Sequence, residues 1–125
     1  QRKLNLIVYL NSSWKLKWGG EINLWKNSKK NSPYGEPAKI SPLFNRAIIF
    51  DTTQQSWHGV SVVKAPNQFY RKSIAVYYVC KPSSRAEPRF KALYAPTENQ
   101  LNNPKIKKLI KLRSKNSTAA KVYKS

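Results

Sequence analysis

The chain has 125 residues, which is enough for one small domain with a single hydrophobic core. Its 24 lysines and arginines outnumber 5 aspartates and glutamates, so the formal net charge is +19 and contact with polyanions is favoured. Five acids leave few candidates for carboxylate chemistry, and the single cysteine, Cys80, excludes an internal disulfide.

A lone cysteine is typical of a reducing compartment, and no run approaches the roughly 18 apolar residues of a membrane span. We therefore expect a cytoplasmic protein without a transmembrane segment. The chain begins with Gln1 and contains no methionine, whereas an intact translation product would normally begin with one. We expect a fragment or a processed form.

Short runs rich in β-branched and aromatic residues occupy most of the first eighty positions. Residues 3–10 predict a strand buried on both faces, and residues 21–25 alternate as a second strand would. Further strands are predicted at residues 38–40, 45–51, 58–64 and 71–79. The polar segment 26–36 is predicted to be a loop, and Gly19 and Gly20, with no helix after them, mark a turn and no phosphate loop. Several short strands without a helix between them predict an all-β antiparallel sandwich or barrel.

The end of the chain has a different composition. After position 80, proline and charge replace apolar alternation, and residues 101–125 contain many bases and no acid. Residues 102–115 predict a basic amphipathic helix, which Asn102 or Asn103 would cap and whose first turn suits Pro104. This segment could bind a polyanion, a membrane surface or a partner groove, or remain a solvated tail.

Tryptophans and tyrosines are interleaved with lysines throughout the strand-rich part. Such a pattern fits either a stacking platform for single-stranded nucleic acid or the core of a β-sandwich. We expect these aromatic side chains to form the core and to pack the loops.

His58 is the only histidine, and Arg71 follows it at the start of the apolar run 71–79. Taken alone, a histidine at the start of a strand is more often structural than a ligand. The strand period of two places Arg71, Ser73, Ala75 and Tyr77 on one face, while the neighbouring base Lys72 points to the other.

These residues belong to a longer ordered pattern: Y-L-N…W…W-G-G-E-I-x-L-W…P-L-F-N-R-x-I-I-F-D…W-H-G-V…R-K-S-I-A-V-Y-Y. The pattern resembles the 2-oxoglutarate- and Fe(II)-dependent oxygenase superfamily, in its prolyl 4-hydroxylase-like branch, over about residues 2–79. The resemblance implies a double-stranded β-helix of the jelly-roll or cupin-like kind, incomplete here. It also implies a dioxygenase that hydroxylates a C–H bond while decarboxylating 2-oxoglutarate to succinate, with Fe(II) as metal and ascorbate as a further cofactor.

The resemblance assigns three site residues. His58 matches an iron ligand, while Arg71 and Tyr9 match the residues that hold the distal carboxylate of 2-oxoglutarate. These types suit the chemistry, because Fe(II) prefers imidazole and carboxylate ligands and a guanidinium offers a planar fork to a carboxylate. The competing interpretation of Arg71 is a surface arginine at a strand end.

The family's other two ligands form a His-x-Asp pair on an earlier strand, which we expect shortly before Gln1. Asp51 is a weaker candidate for the missing carboxylate ligand, because its sequence context is more typical of a residue that starts a turn. One imidazole cannot hold Fe(II), so this fragment alone is expected to be inactive.

The predicted organisation is therefore an oxygenase portion at residues 1–96 and a basic tail at residues 97–125, helical at 104–115. The alternative is a non-catalytic basic β-domain that binds nucleic acid or another polyanion. The substrate, a protein side chain or a small molecule, is left open.

Overall fold

The computed structural model describes residues 1–29, 32–84 and 93–114. The described part contains eight strands, two short 3-10 turns and one helix. The strands are β1 (Arg2–Tyr9), β2 (Ile22–Leu24), β3 (Asn27–Lys29), β4 (Ser32–Tyr34), β5 (Ala38–Ile40), β6 (Ala47–Asp51), β7 (His58–Val60) and β8 (Ser73–Val79). The 3-10 turns are Leu16–Trp18 and Glu98–Gln100, and the helix is α1 (Pro104–Arg113).

Six of the strands form two antiparallel sheets. The first has the order β6-β1-β8 and the second has the order β5-β2-β7, while β3 and β4 pair only with each other. The chain therefore passes from the first sheet (β1) to the second (β2 and β5) and back to the first (β6). It then enters the second sheet again with β7 and returns to the first with β8. Strands distant in sequence become neighbours in this way.

The six strands of the two sheets were predicted from sequence, and their existence is confirmed. Two details of that prediction are wrong. The strand at residues 58–64 ends at Val60, and only an isolated bridge between Val63 and Gly19 follows. Strand β1 is not buried on both faces, because only Asn5 and Tyr9 are buried and both lie on the same face.

The prediction of a loop at residues 26–36 is also wrong, since β3 and β4 lie there. Asn27 pairs with Tyr34 and Lys29 with Ser32. A polar composition does not prevent such pairing, because the ladder is made by backbone groups that every residue except proline carries in full. Apolar alternation reveals only strands that bury one face, so this pair gave no signal.

The hydrophobic core is small. Its buried apolar side chains are Tyr9, Trp14, Trp18 and Ile22. The rings of Trp14 and Trp18 meet edge to face, with their centroids 5.4 Å apart. The expected core position is thus confirmed for Tyr9 and these two tryptophans. Tyr34, Tyr70 and Tyr77, in contrast, are exposed.

The helix predicted near the end of the chain is present as α1. Its cap is Asn103, whose Oδ1 accepts hydrogen bonds from the backbone N–H groups of Lys105 (3.0 Å) and Ile106 (3.3 Å), and Pro104 stands in the first turn. The apolar side chains of α1 are half-buried, whereas its four lysines are exposed. Within the described residues, no helix combines the length and apolar character needed to cross a membrane.

We expect Ile22→Ala to lower the free energy of unfolding by about 2–5 kcal/mol, because it leaves a cavity between strands β5 and β7. Ile22 is 1% exposed and pairs with Ile40 on one side and Val60 on the other. Urea denaturation measures the change. Leu16→Ala is the control, because Leu16 is 64% exposed and its truncation should cost less than about 0.5 kcal/mol. Equal losses in the two variants would contradict this account of the core.

Candidate functional site

Arg71 and Tyr9 lie together where the first sheet ends. Tyr9 is the last residue of β1 and pairs with Ser73, the first residue of β8, so Arg71 comes just beyond the ladder. The Nη2 of Arg71 donates a hydrogen bond to the Tyr9 hydroxyl at 3.2 Å, and its guanidinium carbon lies 5.0 Å from the centre of the Tyr9 ring. The fold thus brings together the two residues that the resemblance matched to an anchor for a carboxylate.

A second contact fixes the Arg71 side chain from the other sheet. Its Nε donates to the backbone carbonyl of Gly20 at 2.8 Å, two residues before β2. The indole Nε1 of Trp14 donates to the carbonyl of the preceding Gly19 at 3.0 Å. The guanidinium is therefore held at two of its nitrogens, which leaves it little freedom to rotate.

Gly20 must be a glycine for two reasons. Its φ of +75° lies in the left-handed region, and a Cβ there would be 3.1 Å from Cδ of Arg71 and 3.2 Å from Cγ2 of Val63. The sequence marked Gly20 as part of a turn and of the ordered family pattern, without a role of its own. Its role was missed because a backbone carbonyl that accepts from a residue 51 positions away leaves no trace in local pattern.

The Tyr9 hydroxyl is protonated at neutral pH. Burial raises the pKa of this phenol above its ordinary value, and the positive charges of Arg71 and Arg46, together with the Arg71 hydrogen bond, oppose that rise only in part. Since the oxygen accepts from Arg71, the hydroxyl proton can be donated to another acceptor. Arg71, which is half-buried, and Tyr9, which is fully buried, are therefore neighbouring donors, a combination whose chemistry suits a carboxylate.

His58 occupies the first position of β7, opposite Leu24 of β2. It is exposed, its ring centroid lies 5.0 Å from that of Phe50, and its Nδ1 lies 3.2 Å from the carbonyl oxygen of Ser56. A carbonyl can only accept, so this contact favours the tautomer with the proton on Nδ1, and in that tautomer Nε2 carries the lone pair. This is the form in which an imidazole binds a metal.

His58 also borders a cavity of about 330 Å³. The cavity is lined by Arg2, Thr53, Gln54, Ser56, Trp57, His58, Leu93 and Tyr94. Arg71 is not among these residues: it is bound at Gly20, before β2, whereas His58 stands opposite the last residue of that strand. The structure thus places the candidate ligand and the candidate anchor at opposite ends of β2.

The described residues do not by themselves fit Fe(II). No group of three histidine, cysteine, aspartate or glutamate side chains that could hold a metal occurs among them. Asp51 is at the end of β6, where its Oδ1 accepts from the N–H of Thr52 at 2.8 Å and its Oδ2 lies 3.9 Å from Nζ of Lys3.

One comparison with known proteins assigns the chain to a family. The family model of the 2OG-Fe(II) oxygenase superfamily matches residues 1–79, which is more than half of the chain and ends with the last residue of β8. The chain belongs to this superfamily. None of the curated proteins compared matches it.

We expect Gly20→Ala to destabilise the protein more than Gly35→Ala does. Both glycines have left-handed backbone, with φ of +75° and +76°, so both substitutions carry a strain of about 1–2 kcal/mol. A Cβ at Gly35 meets nothing within 4 Å, whereas at Gly20 it crowds Arg71 and Val63. That crowding should lower the free energy of unfolding of Gly20→Ala by a further amount of about 1–3 kcal/mol, which urea denaturation measures. Equal losses of unfolding free energy in the two variants would show that a Cβ at Gly20 is not crowded.

Proposed function

We propose that this chain is part of an Fe(II)- and 2-oxoglutarate-dependent dioxygenase of the prolyl 4-hydroxylase-like kind. Such an enzyme hydroxylates a C–H bond of its substrate and decarboxylates 2-oxoglutarate to succinate. The observation that carries the proposal is the hydrogen-bonded pair of Arg71 and Tyr9 at the end of β1. Membership of the superfamily supports the dioxygenase chemistry in general.

In this proposal Arg71 and Tyr9 bind the distal carboxylate of 2-oxoglutarate. The bonds to Gly20 and Tyr9 occupy Nε and one N–H of Nη2, and a guanidinium has five N–H donors in a fixed plane. The remaining donors, with the Tyr9 hydroxyl proton, are oriented before any ligand arrives. A preorganised anchor binds with less loss of conformational entropy than a mobile side chain does.

The complete fold in this proposal is a double-stranded β-helix. Two features support it: the chain passes repeatedly between two antiparallel sheets, and each outer strand of these sheets, namely β5, β6, β7 and β8, pairs with a single strand among those described. Each of these four strands thus has one edge on which a further strand can pair. We take residues 1–96 as the oxygenase portion and residues 97–125 as a basic tail.

His58 is proposed as one iron ligand, through Nε2. Because the described residues hold no complete ligand set, a His-x-Asp pair from outside that set would have to supply the other two ligands, and without it the chain is inactive. Fe(II) would supply the oxidative chemistry, with ascorbate as a reductant that keeps it ferrous. A cytoplasmic location is part of the same proposal, since the single cysteine, Cys80, is exposed and suits a reducing compartment.

The test of the anchor is a calorimetric titration of the full chain with 2-oxoglutarate. Arg71→Ala should weaken binding about 10- to 100-fold, because it removes charge-assisted hydrogen bonds to the carboxylate. Lys72→Ala is the matched control, since it removes the same charge from the neighbouring exposed residue and should leave affinity within about twofold. Equal affinities of the two variants would remove the basis of the proposal.

A second function is favoured by the surface of α1. Its four lysines are exposed while Ile106, Leu109 and Ile110 are half-buried, so charge, and not a free apolar stripe, is what the helix presents outward. We propose that this helix contacts a polyanion such as nucleic acid. In that case binding is driven mainly by release of counterions and depends little on base sequence.

The salt dependence of binding to single-stranded DNA tests this second function. Replacing the four helix lysines with glutamine should flatten the plot of log affinity against log salt by up to about 3 units. The substituted residues are Lys105, Lys107, Lys108 and Lys111. A control variant removes the same charge from four exposed lysines elsewhere, namely Lys17, Lys39, Lys64 and Lys81. Identical slopes for the two variants would show only general attraction to a +19 chain.

A further inference from the structure

Asn11 is a buried amide that holds the chain immediately after Arg71. It lies two residues beyond β1 and is 6% exposed. Its Oδ1 accepts from the backbone N–H of Lys72 at 2.7 Å, and its Nδ2 donates to the carbonyl oxygens of Lys72 (3.2 Å) and Pro42 (2.9 Å). Only this orientation of the amide satisfies all three contacts, because the reverse would direct its oxygen at two carbonyls.

The side chain of Asn11 makes the hydrogen bonds that one further residue pair of the sheet would make. The register of β1 and β8 ends at the pair Tyr9 and Ser73, and the N–H of Leu10 still donates to the carbonyl of Lys72 at 3.1 Å. Asn11 then bonds both backbone groups of Lys72 with its side chain, as a facing strand residue would do with its main chain. The ladder is extended by one residue, up to the peptide that joins Lys72 to Arg71.

We infer that Asn11 is a positioning residue for Arg71. The Arg71 side chain is held at its far end by Gly20 and Tyr9, but those two bonds fix the guanidinium only if the Cα of Arg71 is also fixed. Asn11 supplies that second constraint from a buried position. This inference rests on the proposed function, in which Arg71 anchors 2-oxoglutarate, and assigns Asn11 the task of setting where the anchor stands.

The experiment compares Asn11→Ala with Asn5→Ala in the full, ¹⁵N-labelled chain. Asn5 is a matched control because it is a buried asparagine on β1, 7% exposed, whose Oδ1 makes no hydrogen bond within the described part of the chain. Two quantities are measured on each folded variant. One is the NMR signal of the Arg71 Nε–H, assigned with Arg71→Lys, together with hydrogen exchange at the Lys72 amide; the other is affinity for 2-oxoglutarate.

Asn11→Ala should shift the Arg71 Nε–H signal, speed exchange of the Lys72 amide at least about tenfold, and weaken 2-oxoglutarate binding about tenfold. Asn5→Ala should change none of these. If Asn11→Ala lowers the melting temperature but leaves the Arg71 signal and the affinity unchanged, its role is structural only and the inference is overturned.

Two further outcomes separate the inference from the proposed function. If the wild-type chain does not bind 2-oxoglutarate and yet the Arg71 signal depends on Asn11, the proposed function fails while the positioning role stands. If Asn11→Ala does not fold, Asn11→Ser is measured in the same way, because a hydroxyl can keep one of the bonds to Lys72. Should neither variant fold, Asn11 serves the whole fold and the positioning role is overturned.

Discussion

The guanidinium of Arg71 joins the two sheets of this protein. Its Nε is bonded to the carbonyl of Gly20, which leads into β2 of the second sheet, and its Nη2 is bonded to Tyr9, which ends β1 of the first. These bonds hold the two ends of residues 9–20, a stretch that contains the buried side chains of Tyr9, Trp14 and Trp18, and buried Ile22 follows two residues later. Packing of the small core and orientation of the candidate anchor are therefore parts of one arrangement. A change at Gly20 acts on both.

Among the residues that the structure describes, the buried polar side chains are amides and not charged groups. The buried polar residues are Asn5, Asn11 and Asn23, and the one salt bridge among the described residues, Lys3 to Asp51, is 3.9 Å long and half exposed. Such an exposed pair contributes little to stability. With five acids in the whole chain, internal ion pairs could satisfy few buried groups. An asparagine, which both donates and accepts, can serve backbone groups without the cost of burying a charge.

The sequence predicted the parts of the fold that leave a periodic signal. The strands β1, β2, β5, β6, β7 and β8 lie in short runs of β-branched, aromatic and other apolar residues between turn residues, and α1 has a capping asparagine and a proline at its start. The pair β3 and β4 was missed because its strands are polar. The meeting of Tyr9 and Arg71 came from the ordered family pattern, since no local period relates residues 62 positions apart. The roles of Gly20 and Asn11 depend on hydrogen bonds between residues far apart in sequence, and composition and spacing do not predict such bonds.

The single partners of β7 and β8 among the described strands have a consequence for the behaviour of the protein in solution. A strand with a free edge can pair with the same edge of another molecule, and β8 carries exposed Ile74, Val76 and Tyr78 along its length. The net charge of +19 opposes such self-association by repulsion between molecules. Salt weakens that repulsion by shortening the distance over which charges act, about 10 Å at 0.1 M and 3 Å at 1 M. For the strands that the structure describes, the positive charge thus opposes edge-to-edge association, more strongly in dilute buffer than in concentrated salt.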